Sequence, residues 1–182
     1  MEKGGTLRME LLVVVDMQKD FIDGALGTPE ACAIVDAVVK EIEEFSGEVV
    51  YTMDTHDKEY LTTQEGANLP VLHCIRETEG WQLEERMKAL AIKNQSKIFE
   101  KPGFGSMELA NYVMALDKEK ELSRVVLVGL CTDICVISNA MLIKAAVPEV
   151  KIEVKESCLA GVSIESHKNA LEAMKMCQIK VV

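Results

Sequence analysis

The sequence predicts an α/β fold: an open, mostly parallel six-stranded sheet with helices packed on both of its faces. Short runs rich in β-branched residues alternate with segments of helical periodicity, which is typical of parallel strands joined by crossover helices. Residues 124–129, RVVLVG, form an almost continuous apolar run, as expected for a central strand that is covered on both faces. The length of 182 residues fits a single domain over residues 1–182.

The first half of the chain contains three of the predicted strands, residues 11–15, 48–53 and 97–100. After Pro29, which favours the first turn of a helix, apolar residues recur at helical spacing opposite charged residues. This pattern predicts an amphipathic crossover helix. The polar stretch 54–80 is long enough to indicate a functional segment, and a helix is predicted over residues 81–92.

The second half of the chain repeats the alternation. Its predicted strands are residues 124–129, 150–154 and 179–182, and its predicted helices are residues 106–116, 135–146 and 163–177. Ser106 and Ser163 are suited to cap the first and last of these helices. Thr132 or Asp133 is expected to cap the helix that carries Cys135.

The composition limits the classes of partner and the cell compartment. Thirty acidic residues against 20 basic ones give a formal net charge of −10 and a pI of about 4.9. Such a chain repels nucleic-acid phosphates and anionic lipid, and no apolar run approaches the ~18 residues that span a membrane. The six cysteines lie in apolar segments and are interpreted as free thiols. We therefore expect a cytoplasmic protein that binds neither nucleic acid nor membranes.

Chemically useful side chains follow four of the predicted strands. Asp16 follows the first strand, Asp54 the second and Lys101 the third, and Cys135 lies just past the fourth. The carboxyl ends of parallel strands meet at one edge of a sheet, where open α/β sheets bind their ligands. A carboxylate, a second carboxylate with its neighbouring imidazole, an ammonium and a thiol are therefore expected in one crevice.

Cys135 is the candidate nucleophile. Its predicted place in the first turn of a helix favours a thiolate, and Lys101 on the same edge is expected to lower the pKa of the thiol further. Asp16 ends an apolar run, where a charge is costly unless it is paired or used, so it is the candidate general base and acid. Taken alone, a cysteine in an apolar context is more often an inert core residue, and Lys101 would be a surface lysine. The strand-to-helix position of Cys135 and its charged neighbours favour the catalytic interpretation.

A second constellation lies in the polar stretch. Asp54 and His56 are two residues apart, and Glu65 and His73 follow in the same stretch. Carboxylate oxygens and imidazole nitrogens are ligands for Zn²⁺, Fe²⁺ or Mn²⁺. The spacing alone is a weak signal, because surface histidines produce the same pattern.

Three sequence motifs stand in order along the chain: VVVDMQKDF around Asp16, KPGFGS starting at Lys101, and VGLCTDICV, which ends just past Cys135. Together they resemble the signatures of the isochorismatase-like cysteine hydrolases. The Asp-Thr-His triplet at 54–56 and the string LPVLHC ending in Cys74 are similar to the nicotinamidase/pyrazinamidase branch. The resemblance implies an isochorismatase-like, Rossmann-type three-layer fold and a catalytic triad of Asp16, Lys101 and Cys135.

The resemblance also implies a cofactor. The divalent metal of the branch, zinc in the first place with iron and manganese as alternatives, would be bound by Asp54, His56 and His73. Some members use a further histidine where this chain has Thr62, and Glu65 is the residue that can replace it.

The substrate pocket is implied in the same way. Phe21 and Phe104 match the aromatic positions that flank the substrate ring in the family. The Leu130–Cys131 peptide bond is expected to be cis, and the backbone N–H groups after it are expected to face an oxyanion. The chain departs from the branch at residues 69–70, which are Leu-Pro where Trp-Pro is common.

The implied activity is hydrolysis of nicotinamide to nicotinate and ammonia through a thioester on Cys135. One alternative is a metal-independent cysteine hydrolase of another small amide, ureide or carbamoyl compound. A second is a redox or zinc-binding protein built on Cys131 and Cys135. The expected partner is a small amide, and family members often form homo-oligomers. His167 and Cys158 lie outside these motifs and are assigned no role.

Overall fold

The computed structural model describes residues 9–182 and contains a six-stranded sheet in which all paired strands are parallel. The strand order is β3-β2-β1-β4-β5-β6, so the order reverses direction at β1. The sheet confirms the predicted fold class. The strands are β1 (Met9–Val15), β2 (Glu48–Asp54), β3 (Ile98–Lys101), β4 (Leu122–Leu130), β5 (Lys151–Ala160) and β6 (Lys180–Val181).

Seven α-helices connect these strands and cover both faces of the sheet. They are α1 (Lys19–Ile22), α2 (Pro29–Glu44), α3 (Gln64–Asn68), α4 (Glu85–Lys93), α5 (Met107–Lys120), α6 (Ile137–Ala146) and α7 (Ile164–Met176). A short 3₁₀ turn, Tyr60–Thr62, and a π-helical turn, Thr132–Val136, lie in the loops. Within residues 9–182, no helix is long and apolar enough to cross a bilayer.

The core has two layers, one on each face of the sheet. Because successive side chains of a strand point to opposite faces, Val13 packs in the layer under α5, α6 and α7, whereas Leu12 and Val14 pack in the layer under α2 and α4. The amphipathic prediction for α2 is confirmed. Its buried residues are Ala31, Ile34, Val35, Val38, Val39 and Ile42, and the Thr28 hydroxyl caps its first turn by accepting from Ala31 N–H.

Several predicted boundaries differ from the structure. The helix expected over 81–92 begins only at Glu85, because the Glu84 carboxylate caps it and the Trp81 indole instead donates to the Thr55 hydroxyl. The strand expected over 150–154 runs from Lys151 to Ala160. Its middle residues are polar and partly exposed, so the apolar pattern of a buried strand is interrupted there. The polar stretch 54–80 contains α3 and the 3₁₀ turn.

Gly129 allows β1 and β4 to approach each other near the carboxyl edge of the sheet. Its φ is +114°, and a Cβ at this position would lie 2.1 Å from the Val15 carbonyl oxygen. We expect Gly129→Ala to lower the free energy of unfolding by about 3 kcal/mol or more, measured by urea denaturation. Gly103→Ala is the control, since its Cβ would meet no atom within 4 Å. Equal loss of stability in both variants would contradict this account.

Candidate active site

The structure brings Asp16, Lys101 and Cys135 into contact at the carboxyl edge of the sheet. Asp16 follows β1, Lys101 ends β3, and Cys135 lies in the π-helical turn after β4. The Lys101 Nζ lies 2.6 Å from Asp16 Oδ2 and donates to Cys135 Sγ at 3.5 Å. All three side chains are buried, with at most 5% of the surface of each residue exposed. The convergence expected from the parallel strands is therefore present.

Hydrogen bonds orient the Asp16 carboxylate toward the lysine. The Thr52 hydroxyl, on the neighbouring strand β2, donates to Asp16 Oδ1 at 2.7 Å. The Asp16 N–H donates to the Thr52 carbonyl at 3.2 Å, which fixes the backbone just past the strand end. Asp16 Oδ2 is then the oxygen that faces the Lys101 ammonium.

Burial and the charges of neighbouring groups together shift the pKa of all three side chains. It raises the pKa of the Asp16 carboxyl, and the nearby Lys101 charge offsets only part of that effect. For Lys101 burial acts in the opposite direction, but the charge of Asp16 above all outweighs it and raises the pKa of the ammonium. For Cys135, burial and then Asp16 raise the pKa of the thiol well above its usual value, against the effect of Lys101.

The expectation of a lowered thiol pKa is therefore wrong. Cys135 is buried in a site with two carboxylates, and these effects exceed those of one lysine and of the turn in which it lies. Such a thiol is neutral at rest and needs a base to remove its proton when it reacts.

Asp54, His56, Glu65 and His73 form a cluster beside these residues. One ligand atom from each lies within 4.8 Å of all the others. The Asp54 Oδ2 is 2.9 Å from His56 Nε2 and 3.4 Å from His73 Nε2. The Glu65 Oε1 lies 3.6 Å from His56 Nε2. The structure thus brings all four predicted ligands together, from β2, the loops that follow it and α3.

The cluster fits a divalent cation by two observations. The His73 Nδ1 lies 2.8 Å from the Val71 carbonyl, so Nδ1–H donates there and Nε2 is left with a free lone pair. The His56 Nε2 is buried and makes no hydrogen bond among the described residues, although Asp54 lies close to it. Two imidazole nitrogens facing two carboxylates are a donor set suited to Zn²⁺.

The pKa values of the two acids in the cluster shift in opposite directions. Burial opposes the charge of Asp54, but His56, His73 and Lys101 outweigh burial and hold the pKa of this carboxyl below its usual value. Burial and the charge of Asp54 raise the pKa of Glu65.

A cavity of about 220 Å³ lies between the cluster and Cys135. Asp54, Glu65 and His73 line one part of it, and Cys131 and Cys135 line another. Apolar side chains form nearly all of the remaining wall. They include both predicted flanking aromatics and the residue before the cis bond: Phe21, Leu26, Ala31, Leu69, Phe104, Leu130, Ile134 and Val162.

The turn that carries Cys135 begins with a cis peptide bond between Leu130 and Cys131, as the resemblance implies. The Cys131 carbonyl accepts from Ile134 N–H and Val136 N–H, which closes the turn. The Cys131 N–H donates no hydrogen bond within the described residues, and Cys131 lines the cavity.

The capping expected from Thr132 or Asp133 is wrong. The Thr132 hydroxyl lies 2.8 Å from His167 Nδ1, and the Asp133 carboxylate accepts from Val162 N–H at 3.1 Å. The Thr132 side chain therefore fastens the turn to α7, and the Asp133 side chain fastens it to the segment that precedes α7. Cys131 occupies the N-cap position of the turn, and its side chain makes no capping hydrogen bond.

Comparison with known proteins places the chain among relatives with this arrangement of strands. A model of the isochorismatase domain matches residues 10–182. The chain belongs to the isochorismatase family. An isochorismatase family protein of Bacillus subtilis strain 168, PncA, is 29% identical over 170 residues, which is 88% of this chain and 91% of the relative.

Two solved structures support the same placement of this isochorismatase family member. The nicotinamidase/pyrazinamidase PncA of Bacillus subtilis superposes with a TM-score of 0.79 at 28% identity, covering 96% of this chain and 99% of that one. The pyrazinamidase of Pyrococcus horikoshii in complex with zinc superposes with a TM-score of 0.76 at 27% identity, covering 95% and 98%.

Gln18 is a site residue that the sequence analysis missed in this family member. It is fully buried, and its side-chain amide donates to the Asp54 carbonyl at 2.8 Å and accepts from the Asp54 N–H at 2.7 Å. It also donates to the Trp81 carbonyl at 2.9 Å. The sequence did contain a sign of this role. Gln18 stands two positions after Asp16, just past a buried strand, and a buried polar side chain needs hydrogen-bond partners.

Proposed function

We propose that the protein is a nicotinamidase-type amidohydrolase, which converts nicotinamide and water to nicotinate and ammonia through a thioester on Cys135. One observation carries the proposal. The contact group of Asp16, Lys101 and Cys135 and the cluster of Asp54, His56, Glu65 and His73 border one apolar cavity. The named activities of the two superposed Bacillus and Pyrococcus proteins agree with it.

Asp54, His56 and His73, with Glu65, would hold a divalent metal, zinc in the first place. An ion held by these residues would supply a Lewis acid for the pyridine nitrogen, which would orient the ring. The zinc named for the Pyrococcus pyrazinamidase supports this choice. Phe21, 8% exposed, and Phe104, 48% exposed, contribute apolar surface for the ring.

Acylation begins with transfer of the Cys135 thiol proton to Asp16, whose raised pKa suits a base that must later return the proton. The sulfur attacks the amide carbon while the Lys101 ammonium stabilises the negative charge. Backbone N–H groups of Cys131 and Cys135 bind the tetrahedral oxygen, and each such donor contributes about 2.7–4 kcal/mol in comparable hydrolases. Asp16 then protonates the leaving nitrogen, the C–N bond breaks, and ammonia departs.

Deacylation repeats the same proton transfers with water. Asp16 takes a proton from a water molecule while the oxygen of that water attacks the thioester carbon. The C–S bond breaks, the acid is released, and the proton on Asp16 returns to the Cys135 sulfur. Asp16 thus acts alternately as base and acid in both halves of the reaction.

The lining of the cavity favours a neutral substrate. The charged side chains that line it are Asp54 and Glu65, and no lysine or arginine lines it among the described residues. With Asp54 and Glu65 holding the proposed metal, an N-carbamoyl carboxylate against the rest of the wall would find no basic side chain for its charge. The metal-binding cluster likewise favours a pyridine carboxamide over the substrate of a metal-independent relative.

Ammonia release tests the proposal directly. Purified protein loaded with zinc is incubated with nicotinamide, pyrazinamide and a panel of ureides and N-carbamoyl compounds, while bound metal is measured in the same samples. We expect ammonia from the two aromatic amides at least about tenfold faster than from any ureide. Ammonia from a ureide alone, without dependence on metal, would overturn the proposed substrate class.

A further inference from the structure

Asn139 is a fully buried polar side chain on α6 that has no role in the reaction as derived above. Its Nδ2 donates to the Cys135 carbonyl at 2.8 Å and to the Phe104 carbonyl at 3.2 Å, and its Oδ1 accepts from Ser106 N–H at 2.9 Å. One amide therefore binds the backbone of the nucleophile and the backbone of the segment that precedes α5.

We propose that Asn139 is a positioning residue that holds the nucleophile turn and the substrate-flanking segment 103–106 at a fixed separation. The segment is bound from two sides. The Lys101 ammonium donates to the Gly103 carbonyl at 3.0 Å, and Asn139 binds the next residue and Ser106. Phe104, which lines the cavity and is about half exposed, is itself bound through its carbonyl and follows the bound Gly103.

The geometry separates two effects of Asn139. Its bond to the Cys135 carbonyl fixes the nucleophile, and its bonds to Phe104 and Ser106 fix the wall of the cavity. Loss of the first bond should affect the thiol, and loss of the other two should affect substrate binding. The expected effect of Asn139 on substrate kinetics rests on the proposed function. The expected effect of Asn139 on the Cys135 thiol does not.

Two substitutions distinguish these bonds. Serine on a helix donates its hydroxyl to the carbonyl four residues earlier, which for position 139 is Cys135. Asn139→Ser therefore keeps the nucleophile bond and loses the bonds to Phe104 and Ser106. Asn139→Asp keeps an acceptor for Ser106 N–H, but it places a carboxylate oxygen against two carbonyls and adds negative charge beside the thiol.

We expect Asn139→Ser to raise KM for nicotinamide about tenfold with kcat within about threefold of wild type. Its Cys135 alkylation rate with iodoacetamide, followed by peptide mass spectrometry, should stay within about twofold of wild type. Asn139→Asp should slow alkylation of Cys135 about tenfold and lower kcat about 10–100-fold. Exposed Cys177 is the reference thiol in every sample.

Asn169→Ser and Asn169→Asp are the matched controls. Asn169 is exposed on α7, so these variants carry the same two substitutions on a helix without altering a buried hydrogen bond. An unchanged KM in Asn139→Ser would overturn the proposal, and so would equal slowing of Cys135 alkylation in the serine and aspartate variants. If Asn139→Asp does not fold, Asn139→Ser decides alone. Absence of ammonia release by wild type would count against the proposed function only, since the alkylation measurement needs no substrate.

Discussion

Cys135→Ala is expected to lower kcat for nicotinamide hydrolysis by about four to six orders of magnitude, because it removes the sulfur that forms the proposed thioester. Removing one buried sulfur leaves Asp16 and Lys101 paired at 2.6 Å and does not alter the four proposed metal ligands. Folding, followed by circular dichroism, and zinc content, followed by elemental mass spectrometry, should therefore stay at wild-type values.

Cys158→Ala is the matched control for this experiment. Cys158 is another buried free thiol, 1% exposed, which packs in the layer under α2 and does not line the cavity. Its loss should cost about 1 kcal/mol of stability and leave kcat within about twofold of wild type. Ordinary turnover by Cys135→Ala would remove Cys135 from its proposed role, whatever the control shows.

The convergence of the reactive groups was predictable because it depends on topology. Once the strands are taken as parallel, the residues after their ends must share one edge of the sheet. Asp16, Asp54, Lys101 and Cys135 all meet there in the structure. No contact had to be known in advance, since the alternation of strands and helices already determined which ends face the same way.

The residues that hold this group in place were not predictable in the same way. Gln18 and Asn139 bind backbone groups of segments that lie far from them in the chain. A sequence shows that a buried amide needs partners, but the partners are backbone N–H and carbonyl groups, which every segment offers equally.

The direction of the pKa shift of Cys135 also could not be predicted from the sequence. The expected lowering of its pKa considered the helix and Lys101, which are visible as local pattern and charge. Complete burial and the approach of Asp16 reverse the direction, and both depend on packing around the folded site. In the proposed mechanism a neutral thiol can acylate only if a base removes its proton, which is the role proposed for Asp16.

His56→Ala is expected to lower zinc affinity at least about 100-fold and to raise KM for nicotinamide at least about tenfold. The His56 Nε2 is buried without a hydrogen-bond partner among the described residues, so its lone pair is available to an ion. Its removal leaves Asp54, Glu65 and His73, which is one nitrogen donor fewer for the same charge. Zinc content by elemental mass spectrometry and affinity by titration of metal-free protein measure the first effect.

His167→Ala controls for loss of a histidine as such. His167 contacts the Thr132 hydroxyl and lies outside the cluster, so zinc affinity should stay within about twofold of wild type.

The KM effect follows because a ring without its nitrogen contact has only apolar surface to orient it, and such surface does not select one rotation of the ring. Wild-type turnover of nicotinamide by fully metal-free protein would contradict the orienting role of the cluster, and it would leave the cysteine chemistry of Cys135 standing without it.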